Sequence, residues 1–351
     1  MPEARRIKIG SLYIGNGEKI AIQSMTTAYT GDVAATVGQI KQLEECGCDI
    51  VRVAVPDENS AKAIFDIKNQ INIPLVADIH FDYRLALLAM ERGVDKIRIN
   101  PGNIGSEDRA KIVATEAKRR GITIRIGVNG GSLEKNLLEK YGSATPEAMV
   151  ESALGHIKIL EKYDFFDTVI SMKSSDVKKT IDAYRLARQT FSYPLHLGVT
   201  EAGTYEAGLI KSAIGIGSLL ADGIGETIRV SLTDDPVLEV DAAKKILASL
   251  GLVKDKIEVV SCPTCARCRI NLIPIAKEVT KRLENVKGNL KVAVMGCAVN
   301  GPGEARDADI GIAGGKGEAL LFKKGEIVGK IAEDKVVDVL LEEIEKMKGT
   351  N

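Results

Sequence analysis

Eight short runs of β-branched and other apolar residues recur along the first two thirds of the chain, at intervals that leave room for one helix each. They begin near residues 21, 49, 74, 96, 123, 168, 195 and 227 and include AIQSM, KIRIN and TIRVSL. The segments between them have the apolar spacing of helices. One of these, DDPVLEVDAAKKILASLG, has Asp at the N-cap, Pro in the first turn and Gly just past the end. Eight alternations of strand and helix predict a (βα)8 TIM-type barrel.

Several of the predicted strands carry a polar residue at every second position, although parallel strands covered on both faces are usually apolar throughout. In TIRIGVN, for example, Arg125 and Asn129 share one face with Gly127. The same alternation selects Arg52, Asp78, His80, Arg98, Ser171, Lys173, Arg229 and Ser231. We expect the apolar partners to face the helices and the polar set to face the barrel axis near the carboxyl ends of the strands, where barrel enzymes have their active sites.

Five of these side chains are cations that would repel one another in a partly desolvated barrel mouth. They are Arg52, Arg98, Arg125, Lys173 and Arg229. One such arginine alone could reach solvent or pair with a neighbouring carboxylate, but five together predict a small ligand with several negative charges. A diphosphate fits because guanidinium groups bind its oxygens in bidentate fashion. A carboxylate-rich substrate would satisfy the same charge argument.

After Gly251 the pattern changes to that of a smaller α+β unit. It contains a strand at EVVS, a helix in NLIPIAKEVTKRLENV, a strand at LKVAVMG, another at ADIGIAG, a hairpin and a closing helix. We therefore predict two domains, a barrel over residues 1–251 that binds the substrate and an α+β domain over residues 252–351.

Four cysteines lie in the second domain, three of them within SCPTCARC. Cys262 and Cys265 follow one predicted strand and Cys297 ends another, so we expect these three thiols at one end of the sheet. A structural zinc site would need a further close Cys or His pair, and AVNGPGE after Cys297 contains neither. An iron–sulfur cluster is the stronger interpretation, because it tolerates three local thiolates with a fourth ligand of another kind. The glycine-rich backbone of NGPG, after Cys297, can also approach the sulfides of a cluster closely.

Charge and hydropathy restrict the classes of function. The chain has 48 basic and 48 acidic side chains and 4% aromatic residues, which is unlike a nucleic-acid-binding surface. The amino terminus has no apolar signal-peptide region, and no run of eighteen apolar residues occurs. We expect a cytoplasmic protein whose cysteines are reduced, with no membrane or nucleic-acid partner.

The motifs of both domains resemble one enzyme family. CPTC with Arg267, followed by MGCAVNGPGEA, is similar to the cluster-binding signature of the (E)-4-hydroxy-3-methylbut-2-enyl diphosphate synthases. These are the iron–sulfur reductases of the methylerythritol phosphate route to isoprenoids. In the barrel, VRVAVP, ADIHFDY, KIRINPGNIG, RIGVNGGSLE, GVTEAG and TIRVSLTDDP resemble the family's strand-end motifs in the family's order. The match runs nearly end to end, as in the shorter bacterial form.

The resemblance implies a reaction and its residues. The reaction is the reductive ring opening and dehydration of 2-C-methyl-D-erythritol 2,4-cyclodiphosphate, with electrons from flavodoxin or ferredoxin. It implies a [4Fe-4S] cluster held by Cys262, Cys265, Cys297 and the carboxylate of Glu304, which substrate oxygen can displace, and Glu201 as a proton donor. It also implies that Arg52, Arg98, Arg125, Asn129, Lys173, Arg229 and Ser231 hold the diphosphate. Asp78 and His80 are further candidates for the substrate site, either as ligands or as residues that organise the mouth.

Two positions depart from the family pattern. Ala266 stands where Gly is expected, and Cys268 is an additional thiol. If Cys268 were the fourth ligand, the cluster would have no open iron for substrate, so we interpret Cys268 as a small packing group. Cys46 and Cys48, near a helix end, are interpreted as structural. His196 is not selected as a site residue, because a core histidine would fit the pattern equally well.

The short segment between the domains predicts an assembly. LVKDK spans at most roughly 18 Å when extended, whereas a fifteen-residue helix separates the two faces of a barrel by roughly 22 Å. The second domain leaves the barrel on the face opposite the active site. We therefore predict a head-to-tail homodimer in which each cluster closes the partner's barrel, as the resemblance also implies.

One competing enzyme class remains. A barrel transferase acting on a phosphorylated pterin-like substrate, with a purely structural zinc domain, would share the anion-binding mouth. Such a protein would contain no iron and would be colourless.

Overall fold

The computed structural model describes residues 3–80, 82–99, 107–253, 256–284, 286–298 and 307–348, and it divides the chain into two compact units, residues 1–250 and 251–351. The first unit confirms the predicted barrel. Its eight strands are β3 (Ala21–Met25), β4 (Ile50–Ala54), β5 (Leu75–Asp78), β6 (Lys96–Ile99), β7 (Thr123–Asn129), β8 (Thr168–Lys173), β9 (His196–Leu197) and β10 (Thr227–Ile228).

The barrel strands pair in parallel. The order is β8-β7-β6-β5-β4-β3-β10-β9, and a bridge between Ile170 and Leu195 joins the two ends. Parallel pairing puts the carboxyl ends of all eight strands on one face. That face is the mouth of the barrel.

The helices that follow the strands cover the outside of the sheet. They are α1 (Val33–Glu45), α2 (Glu58–Lys68), α3 (Tyr83–Glu91), α4 (Glu107–Arg120), α5 (Lys135–Tyr141), α6 (Pro146–Glu161), α7 (Val177–Thr190), α8 (Tyr205–Ala221) and α9 (Pro236–Ser249). The side chains of Asp32, Asp57, Asp176 and Asp235 accept hydrogen bonds from first-turn amides of α1, α2, α7 and α9. N-caps at the carboxyl ends of strands place the start of each helix beside the mouth.

An amino-terminal hairpin, absent from the sequence prediction, closes the opposite face. Its strands are β1 (Ile7–Ile9) and β2 (Leu12–Ile14), joined through Gly10 with φ of 58°. Ile7, Ile9 and Ile14 pack against barrel residues that include Ile50 and Val169. The hairpin therefore covers the lower end of the barrel with apolar side chains.

The second unit is a five-stranded mixed sheet with helices. Its strands are β11 (Glu258–Ser261), β12 (Lys291–Met295), β13 (Ile310–Gly314), β14 (Glu318–Lys323) and β15 (Glu326–Ala332), paired in that order, with helices α10 (Leu272–Leu283) and α11 (Val336–Lys348). β11, β12 and β13 are parallel to one another, and β14 and β15 continue the sheet antiparallel. Among the helices of both units that the structure describes, none combines the length and hydropathy that crossing a membrane would require.

Candidate active site

Strand register brings the predicted polar residues together at the mouth. Asp78 on β5 is the partner of Arg98 on β6, and Arg98 is the partner of Arg125 on β7. Asn129 on β7 is likewise the partner of Lys173 on β8. Neighbouring strands thus present these side chains side by side, as the two-residue alternation predicts.

Asp78 is the carboxylate between two of the arginines. Its Oδ1 accepts a hydrogen bond of 3.2 Å from Nη1 of Arg98, and its Oδ2 lies 3.8 Å from Nε of Arg52. Its side chain is only 5% exposed. Burial by itself raises the pKa of Asp78, but the charges of Arg52 and Arg98 outweigh it and hold that pKa below its ordinary value. Asp78 is therefore held in its anionic form between the two arginines, which makes it an unsuitable proton donor.

Arg125 is the deepest of the mouth arginines. It is 1% exposed, and its Nε and Nη1 atoms have no hydrogen-bond partner within the described residues. Burial, together with the charges of Arg52 and Arg98, lowers the pKa of Arg125 well below its ordinary value. A buried guanidinium with unused donors is unfavourable unless an anion accepts them.

Gly127 makes room for the neighbouring cation. A Cβ atom at this position would lie 2.5 Å from Nε of Arg98 and 2.8 Å from its Nη2. Because Gly127 has no side chain, the Arg98 guanidinium lies directly over β7. A larger residue at position 127 would displace it from the mouth.

Lys173, at the end of β8, is also buried. Burial lowers the pKa of Lys173 well below its ordinary value, and the charges of Arg229, Arg52, Arg125 and Arg98 lower it further. Burial, together with the charges of Arg229 and Arg98, lowers the pKa of Arg52 to about 10, so Arg52 stays charged at neutral pH. The mouth is therefore an electrostatically strained cluster of cations.

Arg229 is paired with a residue that the sequence analysis missed. Both carboxylate oxygens of Glu239 accept hydrogen bonds from Arg229, each of 3.2 Å. The sequence did carry a signal for Glu239, because this residue lies three positions after Pro236 and therefore on the same, buried face of α9. In the described part of the chain, three of the five predicted cations, Arg52, Arg98 and Arg229, are thus paired with the carboxylates of Asp78 and Glu239.

The remaining predicted mouth residues differ in exposure. Ser171 is buried and donates to the carbonyl of Ile126, whereas Ser231 is half-buried. His80 is exposed, and its charge contributes to the low pKa of Asp78. Glu201 is exposed as well and has φ of 54°, in the left-handed region that residues other than glycine rarely occupy. Such backbone geometry is enriched at functional sites.

Four further polar side chains below the mouth were not selected from the sequence as ligands. Lys96 is fully buried and donates a 3.4 Å hydrogen bond to Gln23, and Nδ1 of His196 lies 2.8 Å from Oγ1 of Thr227. Burial lowers the pKa of Lys96 and of His196 well below their ordinary values. Lys96 could have been predicted from the sequence, because it lies two residues before Arg98 and therefore on the same face of β6. The polar character of the barrel interior therefore extends below the predicted set.

The predicted cluster thiols follow adjacent strands of the second unit. Cys262 comes directly after β11 and Cys297 comes two residues after β12, and these strands are parallel neighbours. The amide of Gly296 donates a hydrogen bond of 3.2 Å to Sγ of Cys262. Cys297 is buried, Cys262 is half-buried and Cys265 is exposed. Hydrogen bonds from the backbone and side chain of Arg267 lower the pKa of the Cys265 thiol, which favours its thiolate.

Cys268 occupies a different environment. Its thiol donates to the carbonyl of Ile270 at 3.2 Å and packs on the core of the second unit. A Cβ atom at Gly296 would lie 2.7 Å from its Sγ. Glu304 lies outside the described residues, and within those residues no three Cys, His, Asp or Glu side chains could hold one metal ion.

Solved structures share the architecture of the barrel. The dihydropteroate synthase of Yersinia pestis superposes with a TM-score of 0.50 at 11% identity, covering 70% of this chain and 98% of that chain. The 3-dehydroquinate dehydratase of Geobacillus kaustophilus gives a TM-score of 0.51 at 14% identity, covering 72% of this chain and 98% of the other. At such identities the likeness is one of fold alone.

Sequence relatives cover both units. A protein of Clostridium perfringens is 63% identical over 343 residues, which are 98% of each chain, and one of Caldanaerobacter subterraneus is 62% identical over 98% of this chain and 97% of its own. Both are named 4-hydroxy-3-methylbut-2-en-1-yl diphosphate synthase (flavodoxin). Residues 4–244 match the GcpE TIM-barrel domain, and residues 258–346 match the GcpE protein C-terminal domain. The chain therefore belongs to the GcpE family, the family of the 4-hydroxy-3-methylbut-2-en-1-yl diphosphate synthases that its motifs resemble.

Proposed function

We propose that this chain opens the ring of 2-C-methyl-D-erythritol 2,4-cyclodiphosphate by reduction and releases (E)-4-hydroxy-3-methylbut-2-enyl diphosphate. The activity is that of the curated relatives, which match the chain at 63% and 62% identity over nearly its whole length. Two electrons and two protons enter the reaction, and one water leaves. The chain is thus an oxidoreductase of isoprenoid precursor biosynthesis.

The cationic barrel mouth is the observation that carries the substrate assignment. Five cations meet there, and Nε and Nη1 of buried Arg125 lack a partner within the described residues. A diphosphate supplies several charged oxygens to such donors. Arg52, Arg98, Arg125, Asn129, Lys173, Arg229 and Ser231 are the proposed diphosphate ligands, with Asp78 and His80 arranging the arginines.

The second unit has a donor set suited to an iron–sulfur cluster. Cys262 and Cys297 follow adjacent parallel strands, and the Gly296 amide already donates to the Cys262 sulfur, as amides near cluster thiolates do. Each thiolate of a four-iron cluster binds its own iron, so its ligands need not surround a single point. Cys262, Cys265 and Cys297 would hold a [4Fe-4S] cluster with Glu304 as the fourth ligand, and the bound cluster supplies electrons to a carbon that bears oxygen.

The chain's own residues bind the substrate and move protons. The arginines hold the diphosphate and compensate its charge, and the barrel wall excludes water from it. The carboxyl of Glu201, on its exposed left-handed loop position, donates a proton to the hydroxyl that leaves as water. The electron donor is a flavodoxin, as the names of the relatives state for those proteins.

We also propose that the working unit is a head-to-tail homodimer. The segment LVKDK between the units is too short for an easy return path within one chain. The test mixes a Cys297→Ser chain with a Glu201→Gln chain. Heterodimers combine one intact cluster with one intact barrel, so recovery of activity supports the dimer and continued inactivity contradicts it.

The first experiment on function is iron and acid-labile sulfide analysis of anaerobically purified protein. About four of each per chain, together with conversion of the cyclodiphosphate by reduced flavodoxin, is the expected result. One zinc and no sulfide would overturn the proposal and favour the barrel transferase with a structural metal. The names of the relatives do not favour that alternative, and the likeness to dihydropteroate synthase concerns the barrel alone.

A further inference from the structure

Glu239 makes four hydrogen bonds beside the barrel mouth and is 4% exposed. Its Oε1 accepts from Nη2 of Arg229 and from the amide of Leu232, at 3.2 and 3.1 Å. Its Oε2 accepts from Nε of Arg229 and Oγ of Ser24, at 3.2 and 3.0 Å. Because each oxygen has two hydrogen-bond partners, the carboxylate of Glu239 is held in a single orientation.

The position of Glu239 follows from the start of helix α9. Asp235 caps the helix, and Pro236 occupies its first turn. Glu239 therefore lies near the positive end of the helix dipole, which stabilises a carboxylate. The helix also presents Glu239 on its buried face, toward the barrel, so the charge is held by both the helix and its partners.

The Met25 sulfur lies between the two arginines at this side of the mouth. It accepts from Nε and Nη2 of Arg52, at 3.1 and 2.9 Å, and Nη1 of Arg229 is 3.7 Å away. A thioether is a weak acceptor without charge, so it orients guanidinium groups without neutralising them. One edge of the Arg229 guanidinium is thus fixed by Glu239, and its remaining nitrogen, Nη1, faces the Met25 sulfur.

We propose that Glu239 is a positioning residue for the diphosphate substrate and acts through Arg229. The proposal rests on the proposed function, because it takes a diphosphate as the ligand of Arg229. Glu239 uses the Nε and Nη2 donors of Arg229 and turns the remaining guanidinium edge toward the mouth. Holding this edge before the substrate arrives reduces the cost of ordering a long side chain on binding.

A purely structural role would look different. In that case Glu239 would only tie α9 to β3 and to the segment after β10, and its loss would reduce stability without a specific effect on the ligand. A matched control is Glu226, whose carboxylate pairs with Arg188 and accepts from the Leu195 amide. Glu226 precedes β10 and therefore lies at the end of the barrel opposite the mouth.

The experiment measures the dissociation constant of the cyclodiphosphate by calorimetry, and the melting temperature, for the anaerobically purified full-length protein. The variants are Glu239→Gln, Arg229→Ala, the double variant and Glu226→Gln. We expect Glu239→Gln to raise Kd by roughly ten- to a hundredfold. Glu226→Gln should lower the melting temperature while Kd stays within about twofold of wild type. In the Arg229→Ala background, Glu239→Gln should raise Kd by less than about twofold, because its effect passes through Arg229.

Three outcomes contradict the proposal, and they are distinguishable. A wild-type Kd for Glu239→Gln, with weakened binding in Arg229→Ala, removes the positioning role and leaves the proposed function intact. If Glu239→Gln raises Kd equally in the wild-type and Arg229→Ala backgrounds, its effect does not pass through Arg229, and this also removes the positioning role. A wild-type Kd for Arg229→Ala removes Arg229 as a diphosphate ligand, and the positioning role with it.

Ser24→Ala keeps the test decisive if Glu239→Gln does not fold. This change deletes one hydrogen bond to Oε2 of Glu239 and leaves the charge pair with Arg229 in place. We expect a severalfold rise in Kd that disappears in the Arg229→Ala background. An unchanged Kd for a folded Ser24→Ala protein would overturn the proposal.

Discussion

The barrel mouth and the cysteine end of the second unit place their functional side chains in different ways. In the mouth, Arg98, Arg125 and Lys173 lie on regular strands and are at most 8% exposed. At the cysteine end, Cys262, Cys265 and Cys297 follow strands, and Cys265 is exposed. A site built on strands is held in shape by the fold, whereas thiols on loops depend more on the group they bind.

In both regions a glycine lets a neighbouring side chain approach the backbone closely. Gly127 leaves space for the Arg98 guanidinium, and Gly296 leaves space for the Cys268 thiol. In the mouth this space admits a charge, while at the cysteine end it admits an apolar sulfur next to a backbone amide that binds Cys262. The glycine in the mouth thus makes room for a cation among other cations, whereas the glycine at the cysteine end makes room for packing.

The largest effect is expected from a change at the cysteine end that leaves the barrel mouth intact. Cys297→Ser should abolish catalysis and reduce the iron content of the protein to a minor fraction, because it removes a proposed cluster ligand. Binding of the cyclodiphosphate to the barrel should remain measurable. Iron and sulfide analysis, visible absorption and calorimetry test this. Full iron content with normal activity in Cys297→Ser would show that Cys297 is not a ligand.

Arg125→Met should change binding and stability in opposite directions. Removing a buried cation with unused donors should raise the free energy of unfolding by about 1 to 3 kcal/mol, while the affinity for the diphosphate falls by about a hundredfold. Chemical denaturation and calorimetry measure the two quantities. In the matched variant Arg98→Met, stability should fall, because Asp78 loses its 3.2 Å partner. A loss of stability in Arg125→Met would contradict the interpretation of the mouth as strained.

Substrate binding should be accompanied by proton uptake. Burial and the charges of Arg229 and Arg52 lower the pKa of Lys173 in the free protein, and a bound diphosphate should raise it again. A group whose pKa rises on binding takes up a proton between its two pKa values, so affinity should fall as pH rises through that interval, by at most about tenfold per pH unit.

Calorimetry in buffers of different ionisation enthalpy at one pH measures this uptake. The observed heat should depend on the buffer for the wild type and depend less on it for Lys173→Met. Binding heats that are the same in every buffer would show that Lys173 keeps its protonation state.

The smallest effect is expected at the additional cysteine. Cys268→Ser should keep its iron and activity and lose about 1 kcal/mol of stability, because the hydroxyl replaces a sulfur that packs on the core. Iron analysis and thermal unfolding test this. Loss of iron in Cys268→Ser would make Cys268 a ligand, and the cysteine end would then be a closed four-thiolate site.

Sequence pattern predicted the barrel well because parallel strands alternate strictly and helices have strong caps. The alternation in TIRIGVN placed Arg125 and Asn129 on one face, and register then brought Arg125 beside Arg98. The amino-terminal hairpin was missed because its two three-residue strands are too short for a periodic signal. Glu239 was missed because a carboxylate in the first turn of a helix is ordinarily a surface residue that favours the dipole.

By itself, the sequence determined the (βα)8 barrel, the α+β unit, the cation-rich alternation and the cysteine spacing, since each depends on residues near one another in the chain. Tertiary structure alone decided which cations are paired. Asp78 lies between Arg52 and Arg98, Glu239 holds Arg229, and Arg125 has two donors without a partner within the described residues. Ion pairing depends on distances between side chains that come from different strands and helices, and those distances exist only once the barrel has closed.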